Sequence, residues 1–485
     1  MKRITKDGTL RAGTNRRDFL KHSAAVAGLG VWVASAKQTW AVGEQSANEK
    51  LNVASIGVGG KGDSDSDQVS KYANLVAICD VDENTLNKKA SRHPKAKKFT
   101  DYRKMLEEMG KEIDACTISI PDHNHATATM MAIKMGKHVY TQKPMTHDVY
   151  EARQLRMAAK EHKIASQMGN QGTASPKLRE GVELIRAGVL GAIKEVHIWT
   201  NRPVWPQSPQ IKARPPEAPV PSSLHWDEWI GTAPLRPYVK EYYHDFKWRG
   251  WWDFGTGALG DMGCHTANLP FMALKLGHPT SMHGESEELN PETYPAWARV
   301  NYEFPAREGM PPVKVTWYEG RKDGKLVHPP EELTEKVLSE YSKILATRKD
   351  KRVRDGKTVE LNNSGSIIVG DKGMLYSPHD YGGEWELLPA EDYRDYKAAS
   401  PTLARNPEGG DDGQKMEWIA AAKGGPPAFS NFEYAGMLTE FILLGNVAIK
   451  AQGTKLDWDG PSMKIPNAPE AEKFLRREYR KPWSL

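Results

Sequence analysis

The sequence predicts an α/β protein whose first folded unit is a doubly wound parallel sheet. Short apolar runs at 53–56, 75–78, 115–120, 139–140 and 164–167 alternate with longer stretches of helical composition. Such alternation means a parallel sheet with helices on both faces, because each return between parallel strands needs a crossover helix. A glycine-rich turn, G-V-G-G-K-G from Gly57 to Gly62, follows the first run directly. The region spans about 120 residues, the size of one domain of this kind.

Ahead of the first strand, residues 1–36 read as a twin-arginine export signal. T-N-R-R-D-F-L-K runs from Thr14 to Lys21 and precedes an apolar, small-residue stretch over 24–36 that ends in A-S-A. Those thirteen residues fall short of the roughly 20 that span a bilayer. The expectation is therefore export of a folded protein to the periplasm and cleavage near Ala36, without stable membrane insertion afterwards; an uncleaved signal would leave an anchored form. None of the three cysteines, Cys79, Cys116 and Cys264, follows the apolar stretch, which argues against lipid modification.

The formal net charge of +5 belongs to this leader: removing its seven basic and two acidic residues from totals of 67 and 62 leaves 60 of each. A neutral mature chain gives no electrostatic footprint for nucleic acid. Three cysteines in 485 residues form no disulfide framework. The expected organisation is a signal at 1–36, a polar lead-in at 37–50, a nucleotide domain at 51–168 and a second domain at 169–485.

Within the first domain, Gly57, Gly59, Gly60 and Gly62 form a dinucleotide fingerprint of the Rossmann type, and Asp80 ends the next strand. The first glycine permits the turn, the second lets the backbone approach a pyrophosphate, and the third allows close helix packing. Asp80 can accept hydrogen bonds from both adenosine ribose hydroxyls and would repel a 2′-phosphate. That favours NAD over NADP.

Two further segments end predicted strands: S-I-P-D-H-N-H, Ser119 to His125, and T-Q-K-P, Thr141 to Pro144. Doubly wound sheets bind their ligands at these carboxyl ends. A third segment, W-W-D-F-G-T-G-A-L-G-D-M-G-C-H from Trp251 to His265, sets Asp261 and His265 four residues apart, on one face if helical. His123 and His125 could suggest a metal pair, but no matching cluster completes a site, and no metal is expected.

With these motifs the chain, from about Leu51 to its C-terminus, resembles the Gfo/Idh/MocA oxidoreductase family, which includes glucose-fructose oxidoreductase and inositol dehydrogenases. The resemblance implies that Pro121 and His125 lie at the cofactor, and that Lys143 contacts both cofactor and substrate. It further implies that His265 is the general acid/base and that Asp261 binds a sugar. Position 142 departs from the family pattern: Gln142 stands where glutamate is usual, keeping an acceptor and losing the charge. The implied chemistry is coherent, since removing hydride from a carbinol carbon also requires removing the hydroxyl proton. An imidazole with an ordinary pKa of about 6.5 suits that task, while Lys143 would stabilise developing charge on oxygen.

For the second domain, strands are expected at 193–200, 298–304, 313–318 and 366–369, a hairpin at 370–376 and a buried helix at 436–449. The resemblance implies an open, mostly antiparallel sheet that floors the substrate site and pairs into a homo-oligomer. Trp199, Trp205, Trp226, Trp229, Trp248, Trp251 and Trp252 concentrate around the expected site. Most are expected to be core anchors and one or two to line the pocket. Asn201, Arg202, His225 and Arg249 could bind hydroxyls, the Pro-rich loop at 203–221 could reach a neighbouring subunit, and the basic tail is expected to form a solvated helix face with salt bridges.

An exported dehydrogenase has no free nicotinamide pool to recycle its cofactor. The reading that follows is a retained NAD that oxidises one sugar or glycoside and reduces another, with oxidation at C3 to a 3-keto sugar as one version. Two alternatives stand beside it: a redox-assisted glycosidase using the same groups, and an exported sugar-binding protein without chemistry.

Overall fold

The computed structural model describes residues 49–485 apart from Lys212; the expected export signal and nearly all of the lead-in lie outside these residues. The first sheet is built from β1 (Asn52–Ile56), β2 (Asn74–Cys79), β3 (Lys97–Phe99), β4 (Ala115–Ile118), β5 (His138–Thr141) and β6 (Ser166–Met168), with α1 (Gly60–Tyr72), α2 (Glu83–Arg92), α3 (Tyr102–Met109), α4 (Asp122–Lys134) and α5 (Val149–Glu161) between them. Its order is β3-β2-β1-β4-β5-β6, and every pairing is parallel. The central strands are buried on both faces, which explains their unbroken apolar runs. The exposed edge β3, of sequence K-K-F, lacks such a run and escapes the sequence pattern. The strand predicted at 115–120 is shortened to β4: Ser119 and Ile120 turn out of the sheet towards α4.

The second sheet uses β7 (Ile193–Thr200), β8 (Ser281–Ser286), β9 (Trp297–Phe304), β10 (Val313–Lys322), β11 (Lys325–Leu326), β12 (Ser364–Gly370), β13 (Met374–Ser377), β14 (Glu386–Leu388) and β15 (Leu456–Asp457). It runs β14-β13-β12-β7-β10-β9-β8-β15, antiparallel throughout except where β7 meets β10. One face packs on α6 (Pro176–Arg186), α8 (Gly257–Thr266), α9 (Asn268–Ala273) and α13 (Phe432–Lys450). The other is partly covered by α10 (Glu331–Thr347), whose Val337, Tyr341 and Leu345 bury Trp199, Tyr318, Ile367 and Tyr376. Two short helices, α7 (Trp226–Ile230) and α11 (Lys351–Arg354), and the longer α12 (Gly410–Ala422) complete the set. Helix α13 is apolar enough for a membrane span by composition, yet it is buried between α5 and β8, where Glu440 pairs with Arg153 at 2.7 Å.

Two parts of the second unit fold back on the first. The connection from β7 to α8 forms its own aromatic core around Trp229, Tyr243, Trp251 and Phe254, with Trp226 and Trp229 stacked at 4.7 Å. It then docks on the loop after β2: Ser223 O accepts from Glu83 N at 2.9 Å, His225 N donates to Val81 O at 2.9 Å, and His244 Nε2 lies 3.1 Å from Asp82 Oδ2. Within the Pro-rich loop, Ser208 N donates to Thr293 Oγ1 at 3.0 Å and Gln207 Nε2 to Pro295 O at 2.6 Å, while Val204 and Val220 are exposed. Helix α12 packs on α1, tied by Lys61–Asp411 at 3.0 Å and Lys71–Asp412 at 2.9 Å. The tail is no solvated helix, for Arg477 sits against Asp148 and Glu151 at the start of α5, and Arg480 pairs with Asp227. The buried Asp148 and Glu151 outweigh the helical spacing of its charges.

Candidate active site

The glycine loop has the form a dinucleotide requires. Gly57 has a φ of +77°, and a Cβ there would sit 2.3 Å from the carbonyl oxygen of Ser119; at Gly62 it would sit 2.1 Å from that of Gly57. Backbone thus fills the space that side chains would need, and the loop closes tightly enough to aim the N-terminal amides of α1 outward, a favourable site for phosphate. Gly59 caps α1 and Gly60, at φ +49°, opens onto free space. Asp80 stands beside them: its Oδ2 accepts from Val58 N at 2.9 Å and its Oδ1 from Asp82 N at 3.0 Å. Burial pushes this carboxyl above the usual range, and the two backbone donors oppose the shift. Each oxygen keeps a further lone pair for a ribose hydroxyl. The residues present fit NAD.

Lys143, Asp261 and His265 come together at the carboxyl end of β5. Lys143 Nζ donates to Asp261 O at 2.7 Å and to Oδ1 at 2.9 Å. Arg249 Nε lies 3.3 Å from Oδ1 and Arg202 Nε 3.6 Å from Oδ2. Burial would raise the Asp261 pKa, but these three cations, Lys143 foremost, hold it at about 2. One turn further along α8, His265 is 3% exposed. Burial, and then the Lys143 ammonium, keep its pKa well below that of a free imidazole, so it is neutral at pH 7. Its Nδ1 is buried without a hydrogen-bond partner among the described residues. An unsatisfied buried nitrogen in a neutral ring costs about 1–3 kcal/mol.

Pro121 caps α4 and starts the helix that carries both candidate histidines. His125 reaches backbone carbonyls through both ring nitrogens, Pro144 O at 2.7 Å and Ile120 O at 2.6 Å. It lies between the two loops expected to flank the nicotinamide; burial lowers its pKa to about 4, so the neutral ring donates to one of these carbonyls. His123 lies within hydrogen-bonding distance of Phe254 O and Trp229 O and packs inside the aromatic core. It is a structural anchor. Of the polar candidates in the aromatic stretch, Arg202 and Arg249 reach the site, whereas His225 pairs with Glu83. Trp199, Trp205, Trp229, Trp248 and Trp251 are buried core residues.

Two contributors escaped sequence reasoning. Asp122 Oδ2 accepts from Thr256 N at 3.1 Å and Thr256 Oγ1 at 2.6 Å, pinning the residue that caps α8. Burial pushes the Asp122 carboxyl up to about 7. It lay inside a recognised motif, and its buried place at the start of α4 was the missing signal. Tyr381 meets the His265 ring edge-on, centroids 4.4 Å apart, and no local pattern marks it. Tyr381 also lines a cavity of about 560 Å³ with Arg352, Asn362, Asn363, His379 and Asp380, within the size range of small-molecule sites. Ser364, also on the lining, bonds Thr200 at 3.0 Å, two residues before Arg202.

A family model described as an oxidoreductase family, NAD-binding Rossmann fold, matches residues 51–170, and that family's C-terminal alpha/beta domain matches residues 177–310. Among curated proteins, an uncharacterized oxidoreductase, YrbE, of Bacillus subtilis is 24% identical over 29% of this chain and 41% of its own length. A dTDP-3,4-didehydro-2,6-dideoxy-alpha-D-glucose 3-reductase of Actinomadura kijaniata is 28% identical over 24% of this chain and 37% of its own. The chain thus matches less than half of each of these relatives. Among solved structures, the WlbA dehydrogenase of Chromobacterium violaceum, in complex with NADH and UDP-GlcNAcA, superposes with a TM-score of 0.57 at 16% identity, covering 85% of this chain and 96% of that one. At that identity the likeness is one of fold.

Proposed function

This chain belongs to the Gfo/Idh/MocA oxidoreductase family, and we propose that it uses a retained NAD to oxidise a CH–OH group of a carbohydrate or glycoside outside the cytoplasm. The observation that carries the reading is the neutral, buried ring of His265, on the helix turn that follows the Lys143–Asp261 pair. The sugar 3-reductase among the relatives and the polar cavity beside Tyr381 support a carbohydrate substrate.

The glycine loop and Asp80 would hold NAD, which when bound supplies the hydride acceptor. His265 is held neutral and can take the hydroxyl proton. Lys143 donates a hydrogen bond to the same oxygen and stabilises its developing charge. Asp261, kept ionised by its three cations, orients Lys143 and accepts from a neighbouring sugar hydroxyl. Asp122 holds α8, and hence Asp261 and His265, against the cofactor domain.

Export rests on the twin-arginine leader, and retention follows from the absence of a nicotinamide pool outside the cytoplasm. The docking of the aromatic connection on the loop after β2 favours retention, since it covers the edge on which Asp80 stands. Oxidation at C3 would acidify neighbouring C–H bonds and prepare a glycoside for elimination. Replacing His265→Ala tests the assignment: nucleotide binding should survive while reduction of bound NAD by a glycoside falls by about a thousandfold. Unchanged turnover would remove His265 from the reaction. Release of an aglycone with no net redox change would identify the glycosidase alternative.

A further inference from the structure

The glycine-rich helix, the loop of Lys143 and the second domain meet on a single buried carboxylate that the reaction described above does not use. Asp65, on α1, is 0% exposed. Its Oδ2 accepts from Gln142 Nε2 at 2.7 Å and from Ser119 Oγ at 2.8 Å. Its Oδ1 accepts from Lys415 Nζ at 2.8 Å and lies 3.3 Å from Lys61 Nζ. Lys415, from α12, is itself 0% exposed and lies 3.9 Å from the centroid of the Tyr140 ring. At its other end, Gln142 Oε1 accepts from the backbone N–H of Lys143 at 3.3 Å. Gly169 packs so closely that a Cβ there would come within 2.6 Å of the Gln142 amide, so the amide has one place to lie.

We propose that Asp65 is a positioning residue for Lys143, acting through Gln142, and that it supplies from α1 the negative charge that residue 142 lacks. The chemistry of position 142 follows. An amide both donates and accepts, so Gln142 can give a hydrogen bond to Asp65 while taking one from Lys143. A carboxylate at 142 would face Asp65 at 2.7 Å, where two like charges cannot both ionise. The ammonium of Lys415 requires one carboxylate, because an unpaired charge in this dry setting is strongly unfavourable. The account rests on Lys143 serving the bound NAD and is independent of which sugar is oxidised.

The test uses the purified protein and NADH alone, with affinity read by fluorescence titration and fold by thermal unfolding. Gln142→Met cuts the link from Asp65 to Lys143 and leaves the Asp65–Lys415 pair intact. It should weaken NADH about tenfold in the parent protein and have no further effect in a Lys143→Met background, the signature of action through that lysine. Gln142→Glu should also weaken NADH, and Asp65→Asn/Gln142→Glu, which moves the charge without changing its count, should return affinity to within about threefold. Unchanged NADH affinity in Gln142→Met, or a loss that persists undiminished in the Lys143→Met background, would overturn the proposal. So would a double variant no better than Gln142→Glu. None of these readings involves a glycoside, so failure of the carbohydrate assignment would leave the result standing.

Discussion

Lys143 donates twice to Asp261, at 2.7 Å to its carbonyl oxygen and at 2.9 Å to its carboxylate, although 118 residues separate them in sequence. The pair joins the end of a parallel strand in the nucleotide domain to a helix of the second domain. The lysine is therefore held in place by a residue of the other domain.

Asp261→Asn removes the one charge that balances Lys143, Arg249 and Arg202. Breaking a buried ion pair costs about 3–5 kcal/mol; this site is partly open to solvent, so the expected loss of stability is about 2 kcal/mol. The turnover rate should fall about a hundredfold. Urea unfolding and single-turnover NAD reduction measure the two effects, and a variant unchanged in both would show that the pair is incidental.

The buried state of His265 sets the pH dependence. A general base works when deprotonated, and burial with the Lys143 charge lowers this pKa well below its ordinary value. The acid limb of the kcat profile should therefore lie well below the free-imidazole value of about 6.5. Asp261 opposes that shift, so Asp261→Asn should move the limb lower still. Rates of NAD reduction across pH decide the matter, and an acid limb at or above pH ~6.5 would contradict the assignment.

Retention of NAD has its own test at the edge where the aromatic connection docks. His244 lies 3.1 Å from Asp82, beside Asp80, the residue proposed to hold the ribose. His244→Ala should loosen this cover and speed NADH release by about tenfold, as followed by stopped-flow displacement. An unaltered release rate would mean that the connection plays no part in holding the cofactor.

The nucleotide domain was legible because its strands are buried on both faces, so β1, β2, β4 and β5 appear as continuous apolar runs. The exposed β3 and the polar β8, of sequence S-M-H-G-E-S, carry no such signal. Lys143, Asp261 and His265 were found because each belongs to a local motif. Tyr381, Asp65 and Lys415 were not: they reach the site through contacts between chain segments far apart in sequence, and no short pattern records those. The departure at Gln142, read as a lost charge, becomes intelligible only beside Asp65. Arg477 shows the reverse error, a tail charge read as solvated that long-range packing buries against Glu151.

The central claim is that this protein holds NAD and reduces it at the expense of a glycoside. The most direct measurement is mass spectrometry of the nucleotide released on denaturing the purified protein, with the absorbance of reduced nicotinamide followed as a panel of glycosides is added to the intact protein. The account predicts near-stoichiometric NAD that becomes reduced with one class of glycoside. A protein that carries no nucleotide and turns over only with added NAD would contradict retention, and one that neither carries nor binds NAD would contradict the account as a whole.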